Sequence, residues 1–302
     1  MPRRSRCLVA LACLVFVATV VPAAPSGAAD LSPFRGLGTW VDVYDYVPGF
    51  QSDGGPPPVT AGSLDDMAAL GVRTVFLQAA QDDDRITGAT VDRRLLGEFL
   101  RRGHDAGIDV VAWYVPKFGD VAADLRRIRG LASFRSKGER FDGIALDVEY
   151  TQGVPDPAER NKALVKLARR AREIAGSRPL GAIVLEPVLL EVVNPVYWPD
   201  FPWRKIRRSF DVWLPMSYWT NRETASGYRD GFAYTEENIR RLRANVGIAD
   251  APVHPIGGIA DTAAAKDYAG FVKAVRERHA IGYSVYDFNT TTSGVWARLR
   301  GG

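Results

Sequence analysis

Eight short apolar runs alternate along this chain with longer amphipathic stretches, and no low-complexity linker interrupts the alternation. The runs span residues 38–44, 72–78, 109–114, 141–149, 180–186, 210–218, 251–258 and 281–287. Strands that alternate with helices along one chain form a parallel sheet with the helices packed on its faces. Eight such units in a chain of this length predict a single-domain α/β fold, the (β/α)8 barrel.

Amphipathic periodicity and capping residues predict the helices between these strands. They cover residues 63–70, 92–106, 157–175, 234–245, 262–278 and a short closing segment at 295–299. The helix at 157–175 has Asp156 as its cap, Pro157 in its first turn and Gly176 at its end. We expect its basic stretch, residues 160–172, to form a solvated outer face, and the Pro- and Trp-rich segment 191–208 to be irregular.

The first 29 residues have the features of a secretory signal peptide. Arg3, Arg4 and Arg6 precede an apolar segment at 7–21, and small residues then offer cleavage sites around Ala29. The apolar segment is shorter than the roughly 20 residues that a membrane-spanning helix needs. The sequence therefore predicts a secreted, extracellular protein that has no membrane anchor after cleavage, with residues 30–302 forming the barrel.

Cleavage changes the composition in ways that exclude several function classes. Cys7 and Cys13 lie in the signal segment, so the mature chain has neither a disulfide nor a thiol nucleophile. Without the three arginines of that segment, 36 basic and 35 acidic residues remain. This near-neutral balance argues against a nucleic-acid partner. The sequence carries no signal for the oligomeric state.

Polar and aromatic side chains concentrate at the carboxyl ends of the predicted strands, where barrel active sites lie. Asp147 and Glu149 are the candidate catalytic residues. The candidate substrate-binding residues are Asp42, Gln78, Tyr114, Glu186, Tyr218, Trp219 and Asp287, and Asp45 and Asp261 also fall at strand ends. Core packing alone would not produce this difference between the two ends of the strands.

The fourth strand brings two acids to the same face. Alternation places Ala145, Asp147 and Glu149 together, with successive members roughly 6.5–7 Å apart along the strand. Burying two carboxylates at the end of an apolar strand is costly, so they need either a chemical role or a partner. A salt-bridged pair that caps the strand is the structural alternative.

Glu186 and four aromatic residues each have two interpretations. Alternation from Ala182 and Val184 predicts that Glu186 points into the barrel, as a nucleophile, a base or the salt-bridge partner of an arginine. Four aromatic residues are either sugar-stacking platforms or ordinary aromatic core: Trp40, Tyr114, Trp219 and Tyr286.

Metal and cofactor chemistry find little support in the sequence. His104, His254 and His279 are far apart along the chain, and lone histidines are more often structural than ligating. We therefore expect no metal and no cofactor.

The fourth strand resembles the D-G-x-D-x-D-x-E signature of glycoside hydrolase family 18, the chitinases and their relatives. Residues 142–149 read D-G-I-A-L-D-V-E, followed by Tyr150, and residues 216–219, M-S-Y-W, resemble the M-x-Y-D of the family's sixth strand. The resemblance implies a barrel enzyme that hydrolyses an N-acetylated extracellular polysaccharide. Glu149 would be the proton donor, and Asp147 and Tyr218 would hold the acetamido group of the substrate.

The chain departs from that pattern at three positions. Ala145 occupies the place of the family's first acidic residue, Trp219 that of an aspartate, and Tyr286 that of the tryptophan under the sugar. Two alternatives therefore stay open. Residues 145–150 also resemble the D-x-E strand of the family 25 lysozymes, which cleave peptidoglycan, and a non-catalytic carbohydrate-binding barrel would share these features.

Overall fold

The protein folds into a closed barrel of eight parallel strands in sequential order, as the computed structural model of residues 29–260 and 262–300 shows. The strands are β1 Gly36–Val41, β2 Thr74–Gln78, β3 Asp109–Tyr114, β4 Gly143–Val148, β5 Leu180–Val184, β6 Val212–Ser217, β7 Ile256–Ile259 and β8 Gly282–Tyr286. β1 pairs with β2 on one side and with β8 on the other, which closes the sheet. The predicted (β/α)8 fold is confirmed.

Helices follow the strands and cover the outside of the barrel. Within the described residues they are α1 Val43–Tyr46, α2 Ser63–Ala69, α3 Arg93–Asp105, α4 Val121–Ser133, α5 Pro157–Ala175, α6 Trp203–Ile206, α7 Gly231–Val246, α8 Asp267–Glu277 and α9 Ser293–Leu299. A single turn of π-helix, Leu189–Val193, lies in the irregular segment between β5 and α6. No helix in the described ranges is long and apolar enough to cross a bilayer.

The sequence analysis missed the one-turn helix α1, whose first two residues fall in the predicted first strand, and it missed the longer helix α4. Asp120 caps it by accepting hydrogen bonds from the backbone N–H groups of Ala122 and Ala123, and Leu125 and Ile128 lie on its buried face. The cap and the apolar spacing between the third and fourth strands are ordinary helix signals. With α4 in place, every strand-to-strand crossover of the barrel contains a helix.

The lower half of the barrel, toward the amino-terminal ends of the strands, is a packed core. The ring of Phe34 closes this end, and a Cβ added to Gly143 or Gly181 would come within 3.0 or 2.9 Å of it. Trp40 stacks on Phe76 with ring centroids 4.3 Å apart. This filling leaves only the upper end, at the carboxyl ends of the strands, for a binding site.

Candidate functional site

Asp147 and Glu149 sit at the end of β4 and share the inner face of the barrel. Ala145 pairs with Trp113 of β3 and Asp147 pairs with Ile183 of β5, which fixes this face. Asp147 is only 7 % exposed, and its Oδ1 has no hydrogen-bond partner within the described part of the chain. A buried carboxylate oxygen without a donor is costly and points to a role in binding or catalysis.

Burial shifts the titration of both acids in the same direction. It raises the pKa of Asp147 well above its ordinary value, and the charge of Glu149 adds to the shift. Burial also raises the pKa of Glu149, while the nearby ammonium of Lys117 opposes that shift. The pair therefore holds protons at a pH where exposed carboxyl groups have lost theirs.

Lys117 is a site residue that the sequence analysis did not identify. It lies in the loop between β3 and α4, and its Nζ is 3.6 Å from the centre of the Tyr150 ring. The adjoining β4–α5 loop approaches so closely that a Cβ on Gly153 would collide with the Lys117 carbonyl oxygen. This contact depends on two loops that meet in space, so no local sequence pattern predicts it.

Tyr218 completes the group beside the two acids. It directly follows β6, whose Met216 pairs with Ile256 of β7. Burial raises the pKa of the Tyr218 phenol, and the charges of Asp147, Glu149 and Glu186 raise it further. Those charges act on Tyr218 because all four side chains meet at the upper end of the barrel. The sequence predicted this meeting of β4 and β6.

Glu186 does not take the inward position that alternation predicted. Ala182 and Val184 pair with Leu146 and Val148, so these residues point away from the face that carries Asp147. Past the end of β5, the Oε1 of Glu186 instead accepts a hydrogen bond of 3.0 Å from the Tyr234 hydroxyl of α7.

Glu186 nevertheless has a raised pKa, because its carboxyl group is buried. Its side chain is 3 % exposed, and burial raises its pKa to about 7, against the opposing effect of the Arg222 charge. The charge of Glu149 also contributes to the increase, so the two acids influence each other across the rim. Glu186 therefore lies between the barrel and α7, next to the site rather than inside it.

Two predicted substrate-binding residues hold loops instead. Tyr114 ends β3 facing the helix layer, and its hydroxyl donates a 2.6 Å hydrogen bond to Asp124 of α4. The Oε1 of Gln78 accepts the backbone N–H of Val43 at 3.1 Å, and its carbonyl accepts the Tyr46 hydroxyl at 2.7 Å. Both residues are buried, and their polar groups hold the loops above β1 and β3 in place.

Two of the predicted sugar platforms belong to the core. Trp219 is 1 % exposed and packs against Tyr268 of α8, with ring centroids 5.1 Å apart. Trp40 is also buried, and its Nε1 donates to the Ser284 hydroxyl at 2.9 Å. An aromatic ring with no exposed face cannot stack on a sugar, so both rings contribute packing.

The ends of β1 and β8 form a second acidic group across the barrel from Glu149. Asp42 caps α1, and its Oδ2 accepts a 2.6 Å hydrogen bond from the Tyr286 hydroxyl. Oxygen atoms of Asp42, Asp45 and Asp287 lie within 4.8 Å of one another. Burial, followed by the charges of Asp42 and Asp287, raises the pKa of Asp45 to about 7.

These three carboxylates are the oxygen-only type of set that hard cations such as Ca²⁺ prefer. Asp42, however, already serves the α1 cap through Oδ1 and Tyr286 through Oδ2. Asp287 accepts hydrogen bonds from the backbone and hydroxyl of Thr290. The predicted position Asp261 lies outside the described residues.

Arg160, in the first turns of α5, ties together the two loops that flank Glu149. Its guanidinium donates to the carbonyl oxygens of Thr151, Val154 and Pro155 at 3.2, 3.0 and 3.3 Å. It also reaches the Tyr197 carbonyl of the β5–α6 loop at 3.5 Å. The side chain is 2 % exposed, so the prediction of a fully solvated basic face is wrong at this position.

Neighbouring side chains extend the grip of Arg160 on the second loop. The guanidinium carbon lies 4.3 Å from the ring centre of Trp198, whose Nε1 donates to Asn161 at 2.7 Å. The Asn161 side-chain nitrogen in turn binds the carbonyls of Pro199 and Asp200. Helix α5 therefore sets the positions of both loops beside the acid.

The histidines have structural surroundings. His104 lies between Glu139 and Asp142 at 2.6 and 3.0 Å, at the lower end of the barrel. Hydrogen bonding to Asp142, the first residue of the family-like motif, raises the pKa of His104 to about 9. His254 is buried in the core, and burial lowers its pKa to about 4.

Comparisons with known proteins give similarity in fold only. No protein-family model matches the sequence, and no curated protein matches it. A class V chitinase from Pseudomonas fluorescens Pf-5 superposes with a TM-score of 0.61 at 11% identity, over 89% of this chain and 99% of that one. The spore cortex-lytic enzyme SleL of Bacillus cereus gives 0.62 at 6% identity, over 88% and 73%. The chitinase-like agglutinin of Robinia pseudoacacia gives 0.54 at 11%, over 87% and 98%. The solved structures that share this barrel thus include a chitinase, a spore cortex-lytic enzyme and a chitinase-like agglutinin.

Proposed function

We propose that the protein is a secreted glycoside hydrolase that cleaves an N-acetylated extracellular polysaccharide, with Glu149 as the general acid. The observation that carries the proposal is the pair formed by buried Asp147 and half-buried Glu149 at the carboxyl end of β4, with Tyr218 beside it. A general acid must hold a proton near neutral pH, and burial raises the pKa of Glu149 in that direction.

In the proposed reaction, each of these three residues has one role. Glu149 donates its proton to the glycosidic oxygen, the bond from that oxygen to the anomeric carbon breaks, and the leaving sugar departs as a neutral alcohol. The acetamido oxygen of the substrate attacks the anomeric carbon, which makes a second protein nucleophile unnecessary. Asp147 stabilises the positive charge on the acetamido nitrogen, and Tyr218 orients the acetamido oxygen. Water then opens the ring and returns the proton to Glu149.

Ala145 makes this version of the site unusual. It pairs with Trp113 and is fully buried below Asp147, where it offers no carboxyl group to share a proton. The pKa of Asp147 is therefore set by burial and by Glu149.

The test is reducing-end release from chitin, chitosan, peptidoglycan and neutral α- and β-glucans, comparing wild type with Glu149→Gln and Asp147→Asn. Glu159→Gln is the matched control, because Glu159 is an exposed α5 residue that pairs with Lys162. We expect cleavage of an N-acetylated polymer by wild type and the control, and loss in both site variants. Unchanged cleavage by Glu149→Gln would overturn the assignment.

A carbohydrate-binding barrel without activity is the second candidate, and the specific observation in its favour is Ala145. A barrel of this fold occurs in an agglutinin. Tight binding of a saccharide that is never cleaved, with equal affinity in wild type and Glu149→Gln, would identify this function. Export to the extracellular medium belongs to both candidates, and it rests on residues 1–29, of which 1–28 lie outside the described structure.

A further inference from the structure

A cationic trench runs along the outside of the barrel, between helix α5 and the segment that follows β5. One cavity of about 670 Å³ lies between the N-terminal half of α5 and the loop at 199–205. A second of about 500 Å³ continues toward the end of α7. The two cavities are adjacent and share Asp200, Pro202 and Lys205 in their walls. Two adjacent cavities along one surface suit an extended polymer better than a compact small molecule.

Four of the five basic side chains that line the trench form no ion pair with any described residue, and the fifth, Lys162, pairs with Glu159. Lys166, Arg169 and Lys205 are exposed and form no ion pair with any described residue. Arg204 lines the second cavity and is likewise exposed. On α5, Lys166 and Arg169 are three residues apart, so they project from neighbouring positions on one face.

Acidic groups in the trench only partly offset these charges. Asp156 is occupied as the cap of α5, and Glu159 nearby pairs with Lys162 at 2.7 Å. Asp200 is the remaining acid in the walls. The chain without its signal segment has nearly balanced charges overall, so this surplus of cations is local. It creates a positive potential that attracts anionic chains.

We propose that the trench binds an anionic carbohydrate polymer, one that carries carboxylate or phosphate groups along an extended sugar or polyol backbone. Exposed ammonium and guanidinium groups recognise such anions. The walls between them are apolar, with Pro157, Val165, Pro199 and Pro202, and suit the CH groups of the backbone. The aromatic residues in the walls of the trench, Phe201 and Trp203 of the smaller cavity, are each only 8 % exposed, so neither ring presents an open face, and this argues against single-stranded nucleic acid, whose bases bind by stacking.

This binding does not require Glu149 or any catalytic step, so it stands or falls separately from the proposed hydrolase activity. A polymer held in the trench would keep the enzyme on an acidic extracellular matrix while the acidic barrel end acts on a neutral segment. The trench is positively charged and the upper end of the barrel is negatively charged, so the two surfaces attract different chemical groups.

The experiment measures binding of polygalacturonate, as the carboxylate arm, and of a glycerol-phosphate polymer, as the phosphate arm, by sedimentation or calorimetry at low and high salt. The variant is Lys166→Glu, Arg169→Glu and Lys205→Glu combined. The control combines Lys266→Glu, Arg298→Glu and Arg300→Glu, three exposed cations on the other side of the barrel. We expect wild type and control to bind at least one polymer, and the trench variant to bind about tenfold more weakly, because exposed attractions become repulsions.

A second set of variants tests whether the charge-reversed variant binds weakly only because it no longer folds. The three Gln substitutions at the same positions should weaken binding in the same direction and leave the thermal unfolding curve unchanged. Binding should also fall as salt rises, because exposed charges are screened. Three results would each overturn the proposal: no binding of either polymer by wild type at low salt, equal binding by the trench variant and wild type, or tighter binding of single-stranded DNA than of both polymers.

Discussion

Replacing Arg160 with alanine removes the residue that ties the two loops beside Glu149 to α5. The guanidinium donates to three carbonyl oxygens of one loop and approaches a fourth in the next loop, and it has no carboxylate partner among the described residues. The loss would leave these carbonyls to find water or remain unpaired. We therefore expect lower stability together with a displaced acid.

The size of the effect follows from the contacts. A net hydrogen bond to a charged group is worth about 1.5–3 kcal/mol, and an unpaired buried carbonyl costs about 1–3 kcal/mol. The Thr151 and Val154 backbones are partly exposed and can rehydrate, so the contributions do not add. Lost stacking on Trp198 contributes about 0.5–1 kcal/mol. A total near 3 kcal/mol corresponds to a fall in Tm of about 6–12 °C for a domain of this size.

The assay is denaturant and thermal unfolding of Arg160→Ala, together with kcat and KM on the substrate that the polysaccharide panel identifies. Arg160→Lys should lose about half as much stability, because a compact ammonium cannot span carbonyls of both loops. Arg170→Ala is the control, since its pair with Glu173 is about half exposed and is worth about 0.5 kcal/mol or less. A free energy of unfolding for Arg160→Ala within about 0.5 kcal/mol of wild type would refute the reasoning.

Three further predictions concern the surrounding framework. The pKa of His104 is raised to about 9 in the folded state. Protonated His104 therefore stabilises the fold fully at pH values below the pKa of the unfolded state, and this stabilisation is lost as the pH rises through 9. His104→Gln should lower the free energy of unfolding at pH 6 but not at pH 10. Tyr114→Phe deprives buried Asp124 of its hydroxyl donor and should cost about 1–3 kcal/mol in urea unfolding. Gly153→Ala places a methyl group against the Lys117 carbonyl, so it should displace the β4–α5 loop and lower kcat more than it raises KM.

Each of these has an internal check. Equal destabilisation by His104→Gln at both pH values would contradict the ion-pair explanation. Unchanged unfolding of Tyr114→Phe would mean that water replaces the hydroxyl. For the glycine, Gly49→Ala is the matched control, because nothing lies within 4 Å of the added Cβ. Wild-type kinetics in Gly153→Ala would show that the loop contact does not position the acid.

The barrel and the centre of its site could be predicted because both depend on periodicity along the chain. Alternation placed Ala145 and Asp147 on one face of β4, and the charges of Asp147 and Glu149 raise the pKa of Tyr218 at the end of β6. The same reasoning failed for Glu186. A one-residue difference in where a face is assigned reverses the direction of every side chain on a strand.

Contacts between loops could not be predicted from the sequence. Lys117 and Arg160 owe their roles to loops that meet above the barrel, and the sequence shows each of them only as one more basic residue. Trp219 looked like a site aromatic because it follows Tyr218, yet it turns toward α8 and packs against Tyr268. Residues that end a strand need the tertiary structure to decide between the barrel mouth and the helix layer.

The central claim is that Glu149 donates the proton to the leaving group, and leaving-group dependence tests it most directly. The measurement is kcat/KM of wild type and Glu149→Gln on the natural polysaccharide and on an aryl glycoside of the same sugar with a good leaving group. Protonation matters only when the leaving group is poor, so the variant should lose roughly 10²–10⁴-fold on the polysaccharide and far less on the aryl glycoside. Equal losses on both substrates, or none on the polysaccharide, would contradict the role of Glu149 as the acid.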